Sequence, residues 1–304
     1  MDTEATSLET GTLPHPSARA ARLRALVDAG LVIAPGCYDA LSALLVERAG
    51  FTAAYLSGFA LSGSSLGAPD LGLISLDDIV DAVRRLTAVL TIPLIADIDT
   101  GFGGPLNIRR TVVEVEAAGA AAVQIEDQVS PKRCGHFEDK AIVGIDEAVA
   151  RVSIAAAARR DPATVLIART DAVAVEGLDA AIERSRRFRD AGADVLFVEA
   201  IEDVAQLERV AAALDGAPLL YNAVEGGRSP LLGADVLTRC GVRILIHPVT
   251  LLLESINAQQ AALSALRNGL PATGQSIALA REVVGVDDAI AFHNAASPAA
   301  SRLT

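Results

Sequence analysis

Cys134 lies between Arg133 and Gly135, with Lys132 two residues before it and His136 two residues after it. Cationic neighbours favour a thiolate and lower the pKa of a cysteine, and a glycine lets the backbone approach a ligand closely. The chain has only two lysines, Lys132 and Lys140, and both flank this stretch. Just upstream, Ala121 to Ile125 reads as a short buried strand ending in Glu126 and Asp127, and Ser130-Pro131 reads as a turn. The pattern is that of a reactive thiol beside an acidic strand end. The competing reading is a buried, inert cysteine in a basic turn.

Asp97 and Asp99 stand two apart at the end of another apolar run. Alternation along a strand puts such residues on one side, where their oxygens can serve one hard cation. With Asp70 and Glu126 on neighbouring segments the donor set is all oxygen, which selects Mg2+ or Mn2+ over Zn2+. The four histidines include no pair at ligand spacing. An isolated Asp-x-Asp is more often a turn or cap. Arg169, at the end of a further apolar run, has the geometry of a bidentate carboxylate clamp. A metal, a carboxylate anchor and an acidic thiol together suit cleavage of a C–C bond beside an oxyanion.

Such residues need a frame. The spacing predicts strands over Leu31 to Ala34 (stopped by Pro35-Gly36), Ala53 to Leu56, Ile92 to Ala96, Val123 to Ile125, Thr164 to Ala168, Val195 to Val198, Pro218 to Tyr221 and Ile244 to Ile246. Helices are predicted between them, for example over Ala20 to Ala29, Asp77 to Leu90 with Ser75 as cap, Asn107 to Ala118 and Leu178 to Ala191. Strands alternating with helices eight times predict an α/β fold, a (β/α)8 TIM barrel. A doubly wound open sheet is the alternative, weakened by the lack of a Gly-x-Gly-x-x-Gly after the first strand. Almost every predicted strand ends in polar groups: Ser57-Gly58, Asp97 to Gly101, Glu126-Asp127, Arg169 to Asp171, Glu199, Asn222 and His247. In a barrel the C-terminal rim carries the active site.

Residues 17–250 are assigned to the barrel, residues 1–16 to a disordered lead-in, and residues 251–304 to helices beyond the barrel's needs. The 304-residue chain carries a net charge of −12 with no basic stripe, which argues against nucleic acid as partner. No apolar run predicts a membrane span or a secretory signal. Three scattered cysteines predict no disulfide framework and point to a cytoplasmic location.

The runs Lys132-Arg-Cys-Gly-His136, Glu126-Asp-Gln128, Ala96-Asp-Ile-Asp-Thr-Gly-Phe-Gly103, Ser65-Leu-Gly-Ala-Pro-Asp70 and Ala168-Arg-Thr-Asp171 together resemble the isocitrate lyase / phosphoenolpyruvate mutase superfamily, from about Pro35 to Pro248. The resemblance implies a Mg2+-dependent barrel that assembles as a homotetramer with exchanged C-terminal helices. It implies Asp97 and Asp99 at the metal, with Asp70 and Glu126 around it through water. Cys134 is then the proton donor, and the candidate catalytic set is Cys134, Arg169, Glu126 and His136. The candidate substrate-binding residues are Ser57, Gly58, Phe59, Gly135, Arg169, Glu199 and Asn222. The cysteine loop favours a lyase over most mutases of the superfamily, although carboxyphosphonoenolpyruvate mutases keep that loop.

Asp171 to Glu183 resembles the 2-methylisocitrate lyase branch, whereas Asn222 to Pro230 resembles the dimethylmalate lyase and oxaloacetate hydrolase branch. Where the former carries an arginine for an extra carboxylate, Val249 to Leu253 has no cation. A third carboxylate buried without a partner is costly. The expected substrate is therefore a 2-hydroxy or 2-oxo dicarboxylate such as an alkylmalate, or 2-methylisocitrate, giving pyruvate or another 2-oxo acid and a carboxylate. A carboxyphosphonoenolpyruvate- or phosphoenolpyruvate-type phosphonomutase and an oxaloacetate hydrolase or decarboxylase are the alternatives, and a non-catalytic barrel is disfavoured by the presence of Cys134 and both aspartates.

Overall fold

In the computed structural model, which describes residues 15–133, 140–270 and 276–296, eight parallel strands close in sequence order into a barrel. They are β1 (Val32–Cys37), β2 (Ala54–Leu56), β3 (Leu94–Asp97), β4 (Ala122–Glu126), β5 (Val165–Thr170), β6 (Val195–Val198), β7 (Leu219–Asn222) and β8 (Val242–His247). The expected (β/α)8 architecture is the one observed. Helices α1 (Pro16–Ala29), α2 (Ala40–Arg48), α3 (Gly58–Leu61), α4 (Leu76–Thr87), α5 (Pro105–Ala117), α6 (Ile145–Ala158), α7 (Ala172–Val175), α8 (Leu178–Asp190), α9 (Val204–Ala213) and α10 (Ala234–Arg239) lie between or before the strands. After β8 come α11 (Thr250–Arg267), α12 (Ile277–Val283) and α13 (Val286–Ala296). The chain divides into compact units over residues 1–252 and 253–304.

The side chains sort by strand parity. One buried cluster takes Val32 and Ala34, Tyr55, Ile95, Ala122, Val165 and Ile167, Val195 and Phe197, Leu220, and Ile244 and Ile246. These are alternate positions of successive strands, so they fill the barrel interior. The opposite parity packs against the surrounding helices. Along the interior parity the next residues are polar: Ser57 after Tyr55, Asp97 after Ile95, Gln124 and Glu126 after Ala122, Arg169 after Ile167, Glu199 after Phe197 and Asn222 after Leu220. The interior thus turns from apolar to polar toward the C-terminal ends of the strands.

The other end is closed by α1, whose Ala20, Leu23 and Val27 join the interior cluster. The buried Arg19 donates from Nη2 to the carbonyls of Thr87 (2.9 Å) and Leu90 (2.7 Å). This helix begins at Pro16, so the expected lead-in does not extend that far; its residues 1–14 lie outside the described residues. Proline suits the first helical position, where no intrahelical N–H is required, and His15 Nδ1 accepts from Ser17 N.

One further expectation is corrected. Pro35-Gly36 does not stop β1, which runs to Cys37 and pairs Pro35 with His247 and Gly36 with Tyr55. A Cβ on Gly36 would sit 2.1 Å from the Pro248 carbonyl oxygen, so the glycine lets two backbones approach. The segment after β2 is helical, with Ser57 capping α3 and a π-helical turn over Ser62–Leu66. The buried Ser62 Oγ donates to the Ala68 and Pro69 carbonyls, each at 3.1 Å, and so ties down the approach to Asp70.

Candidate active site

The rim side chains form two adjoining groups. In the first, Lys132 Nζ lies 2.7 Å from Asp70 Oδ1 and 2.9 Å from Asp99 Oδ1, with all three side chains buried. Gly58 faces this group: a Cβ there would meet Asp99 Oδ1 at 3.2 Å, Asp97 Oδ2 at 3.5 Å and Lys132 Nζ at 3.6 Å. Asp97 and Asp99 therefore do converge, but not through strand alternation. β3 ends at Asp97, and Asp99 lies beyond it with φ 48°, its N–H donating to Asp97 Oδ1 at 3.1 Å. Aspartate tolerates that left-handed conformation and favours such turns.

The second group surrounds Arg169. Its Nε and Nη2 donate to Asp171 Oδ2 (2.9 Å) and Oδ1 (3.0 Å). Nη1 is 3.4 Å from Glu126 Oε2, Nη2 is 3.6 Å from Glu199 Oε2, and the guanidinium carbon is 5.3 Å from the Phe197 ring centroid. Asn222 Nδ2 donates to Glu199 Oε2 at 3.1 Å, which draws the end of β7 into the group. The clamp expected of Arg169 thus has one edge already filled by Asp171.

Glu126 stands between the groups, with Arg169 and Lys132 as its nearby positive charges. Burial pushes its carboxyl well above the usual range, against the pull of Arg169. Burial likewise pushes Asp99 up to about 7, opposed by Lys132 and assisted by Asp97 and Asp70. Burial would also lower Lys132, but Asp99, Glu126, Asp70 and Asp97 together hold its ammonium well above the ordinary lysine range. Asp171 goes the other way: burial would raise it, yet Arg169 and Lys140 hold it down at about 2.

The residues suit a hard cation. The donors are carboxylate oxygens, neither oxygen of the buried Glu126 has a hydrogen-bond partner among the described residues, and the Lys132 ammonium is itself a cation held by Asp70 and Asp99. Among the described residues no three Asp, Glu, His or Cys side chains enclose a metal by themselves. Mg2+ usually keeps several waters and takes one or two protein carboxylates, and the oxygens of Asp97, Asp99 and Glu126 are donors of that kind.

Ser57 is buried and its Oγ accepts from Ala60 N at 3.3 Å, and Phe59 is half-buried on α3. Cys134, Gly135 and His136 lie outside the described residues. The residues on either side of that segment are paired: Gln128 bridges Ile142, and Gln128 Oε1 accepts from Arg133 N at 2.9 Å.

Sequence reasoning missed the supporting residues. Asp127 accepts from Thr170 Oγ1 (2.7 Å), Asp171 N (2.9 Å) and Arg184 Nη1 (3.2 Å), all buried. Nothing local marks Arg184, 57 residues away, as its partner. Asp127→Ala should cost about 3–5 kcal/mol, since it strands the buried donors of Thr170 and Asp171 and leaves the buried Arg184 only the half-exposed Glu176. Glu176→Ala, at the exposed end of the same network, should cost under about 1 kcal/mol. Urea midpoints of the two variants check the contrast; equal losses would remove Asp127 from its central place.

The depressed Asp171 carries a pH consequence. Its folded-state pKa lies below the ordinary 3.8, so the stability it contributes is present above that value and is lost as pH falls through about 2. The contribution is about 2 kcal/mol. Asp171→Asn should therefore flatten the fall in stability between about pH 4 and pH 2, read from urea midpoints across that window. An unchanged slope would contradict the ion pairing.

A closed parallel barrel whose interior turns polar at its C-terminal rim, with carboxylates suited to a cation beside a buried arginine, defines a barrel enzyme for small anionic substrates. Residues 23–267 match the family model described as phosphoenolpyruvate phosphomutase, and the chain belongs to that family, within the isocitrate lyase / phosphoenolpyruvate mutase superfamily. The chain is 45% identical over 242 residues to a 2-methylisocitrate lyase of Aeropyrum pernix, covering 79% of this chain and 77% of that protein. It is 40% identical over 250 residues to the 2,3-dimethylmalate lyase of Eubacterium barkeri, covering 82% and 86%. An oxaloacetate acetylhydrolase structure with 3,3-difluorooxalacetate superposes with a TM-score of 0.89 at 38% identity, covering 93% and 99% of the two chains. A phosphonopyruvate hydrolase structure with oxalate and Mg2+ gives 0.81 at 30% identity, covering 91% and 98%.

Proposed function

We propose that the protein is a Mg2+-dependent carbon–carbon lyase acting on a 2-hydroxy or 2-oxo dicarboxylate, such as an alkylmalate, or on 2-methylisocitrate, to release pyruvate or another 2-oxo acid and a carboxylate. The observation that carries this reading is the convergence of Asp97, Asp99 and Lys132 on Gly58 beside the Arg169 group. Asp97 and Asp99 would hold the cation, with Asp70 and Glu126 around it through water. Bound Mg2+ supplies a Lewis acid for the oxygens of the 2-oxo acid. Arg169, fixed on one side by Asp171, presents its remaining edge to a substrate carboxylate. Glu199 and Asn222 complete that wall, and the backbone of Gly58 allows close approach. Cys134 gives its proton to the carbanion left by C–C cleavage, with His136, two residues on in the sequence, as a further candidate catalytic residue.

The stretch after β8 favours a dicarboxylate. Val249 and Leu252 are buried and Thr250 Oγ1 donates to Glu225 Oε1 at 2.6 Å, so this stretch carries apolar groups and a hydroxyl bonded to an acid, with no cation for a third carboxylate. Hydrolysis of oxaloacetate is the second reading, favoured by the oxaloacetate acetylhydrolase likeness; a phosphonomutase reading is third. A pyruvate-release assay with Mg2+ across dimethylmalate, 2-methylisocitrate, isocitrate, oxaloacetate and phosphonopyruvate tests the proposal. No pyruvate from either alkylated acid would overturn the lyase reading, and oxalate plus acetate from oxaloacetate would establish the second.

Assembly follows from the C-terminal helices. Leu263, Leu266 and Leu270, Ile277, and Phe292 are all exposed, and apolar exposure on this scale marks an interface. A homotetramer joined through α11 to α13 is the expected state, and light scattering from an active monomer would contradict it. No described helix is long and apolar enough to cross a membrane. A cytoplasmic location suits the free, buried thiols of Cys37 and Cys240.

A further inference from the structure

Asp171 enters the reading above only as the support of Arg169 and Lys140 does not enter it at all, yet their side chains are only 0% and 2% exposed. They sit behind Arg169. A guanidinium can take a carboxylate at two points along either of two edges, one made by Nε and a terminal nitrogen, the other by both terminal nitrogens. Asp171 fills the first edge, with bonds of 2.9 and 3.0 Å. The second edge looks toward Glu126 and Glu199 at 3.4 and 3.6 Å, longer than good hydrogen bonds. The guanidinium carbon lies over the Phe197 ring, 5.3 Å from its centroid. The orientation of the guanidinium is thus set from its side edge by Asp171, over the Phe197 ring, leaving the end edge for a ligand.

This support works against the charge it positions. A carboxylate bonded at two points cancels much of the field that Arg169 would present to an anion. Lys140 Nζ stands 2.7 Å from Asp171 Oδ1, the same oxygen that accepts from Arg169 Nη2. Asp127, whose Oδ1 accepts from Asp171 N, is paired with Arg184.

The geometry points to Lys140 as a positioning residue: it neutralises Asp171, so that Asp171 can hold the side edge of Arg169 while the arginine keeps its charge for the carboxylate of a ligand. This rests on the reading of Arg169 given above.

The test is calorimetric titration of the full-length protein, in MgCl2, with oxalate. Lys140→Met should bind oxalate about tenfold or more weakly than the parent, because it leaves one extra buried negative charge beside Arg169. Lys140→Arg, which keeps the charge, should stay within about threefold. The double variant Lys140→Met/Asp171→Asn removes both charges and should bind oxalate more tightly than Lys140→Met alone. A purely structural role for Lys140 would leave the double variant no better than the single one. A folded Lys140→Met protein binding within about twofold of the parent would overturn the proposal, as would a double variant no tighter than the single. Should Lys140→Met fail to fold, Lys140→Arg decides, and about a tenfold loss there would overturn the role of charge. A parent protein that binds no oxalate at all would instead overturn the reading of Arg169, before any variant is compared.

Discussion

Cys134→Ser is expected to lower kcat by about 10²–10⁴-fold while KM moves little. The substitution exchanges a thiol of ordinary pKa about 8.5 for a hydroxyl that is a far weaker acid, in nearly the same volume. Binding is assigned to other groups, Arg169 for a carboxylate and the Asp97 and Asp99 site for the oxygens, so affinity should survive the loss of the proton donor. A thiol reagent should inactivate the parent enzyme, and substrate should protect it. Cys37 and Cys240 are buried, and burial pushes both thiols up, so they compete poorly for the reagent. A structural cysteine would behave in the opposite way, losing stability rather than rate. Near-normal kcat in a well-folded Cys134→Ser enzyme would sink the lyase mechanism and favour the mutase reading, which needs no such proton.

Removal of the cation should abolish turnover, and Mg2+ or Mn2+ should restore it. Asp97→Ala and Asp99→Ala should each do comparable damage, at least about 10³-fold, since the Lewis acid is assigned several kcal/mol of stabilisation. The sites differ in what remains. Asp99 is one of the two partners of Lys132, so its loss leaves the ammonium on Asp70 alone within the first group. Asp97→Ala leaves that pair intact, and it should be the better folded of the two variants. Chelation with full retention of activity would remove the metal from the mechanism. So would an Asp97→Ala enzyme with parental kcat.

Much of this was legible in the sequence because it follows from period-two alternation. Apolar residues at Ile95, Ile167 and Phe197, followed two positions later by Asp97, Arg169 and Glu199, announce a barrel interior that becomes polar at one end. Alternation says nothing beyond a strand end. Asp99 reaches the site through a left-handed turn, which the spacing of two imitates by coincidence. Pro35-Gly36 reads as a stop until the close approach of the Pro248 carbonyl explains the glycine. The bond between Arg169 and Asp171 had no alternation signal either, since β5 ends at Thr170 and Asp171 lies in the turn beyond it. The pairing of Asp127 with Arg184, or Lys132 with Asp70, depends on closure of the barrel and carries no local signature.

The burial of both lysines reaches beyond the site. Lys132 and Lys140 are 5% and 2% exposed and locked in ion pairs, so all side-chain positive charge on the surface comes from arginine and histidine. Reagents that acylate or cross-link lysine amines should find no accessible target among them, and trypsin acting on the folded protein can cut only after arginine. Lysine acetylation or ubiquitination would require the site to open first. An amine-reactive probe that does label a lysine is thus an indicator of local unfolding at the centre of the molecule.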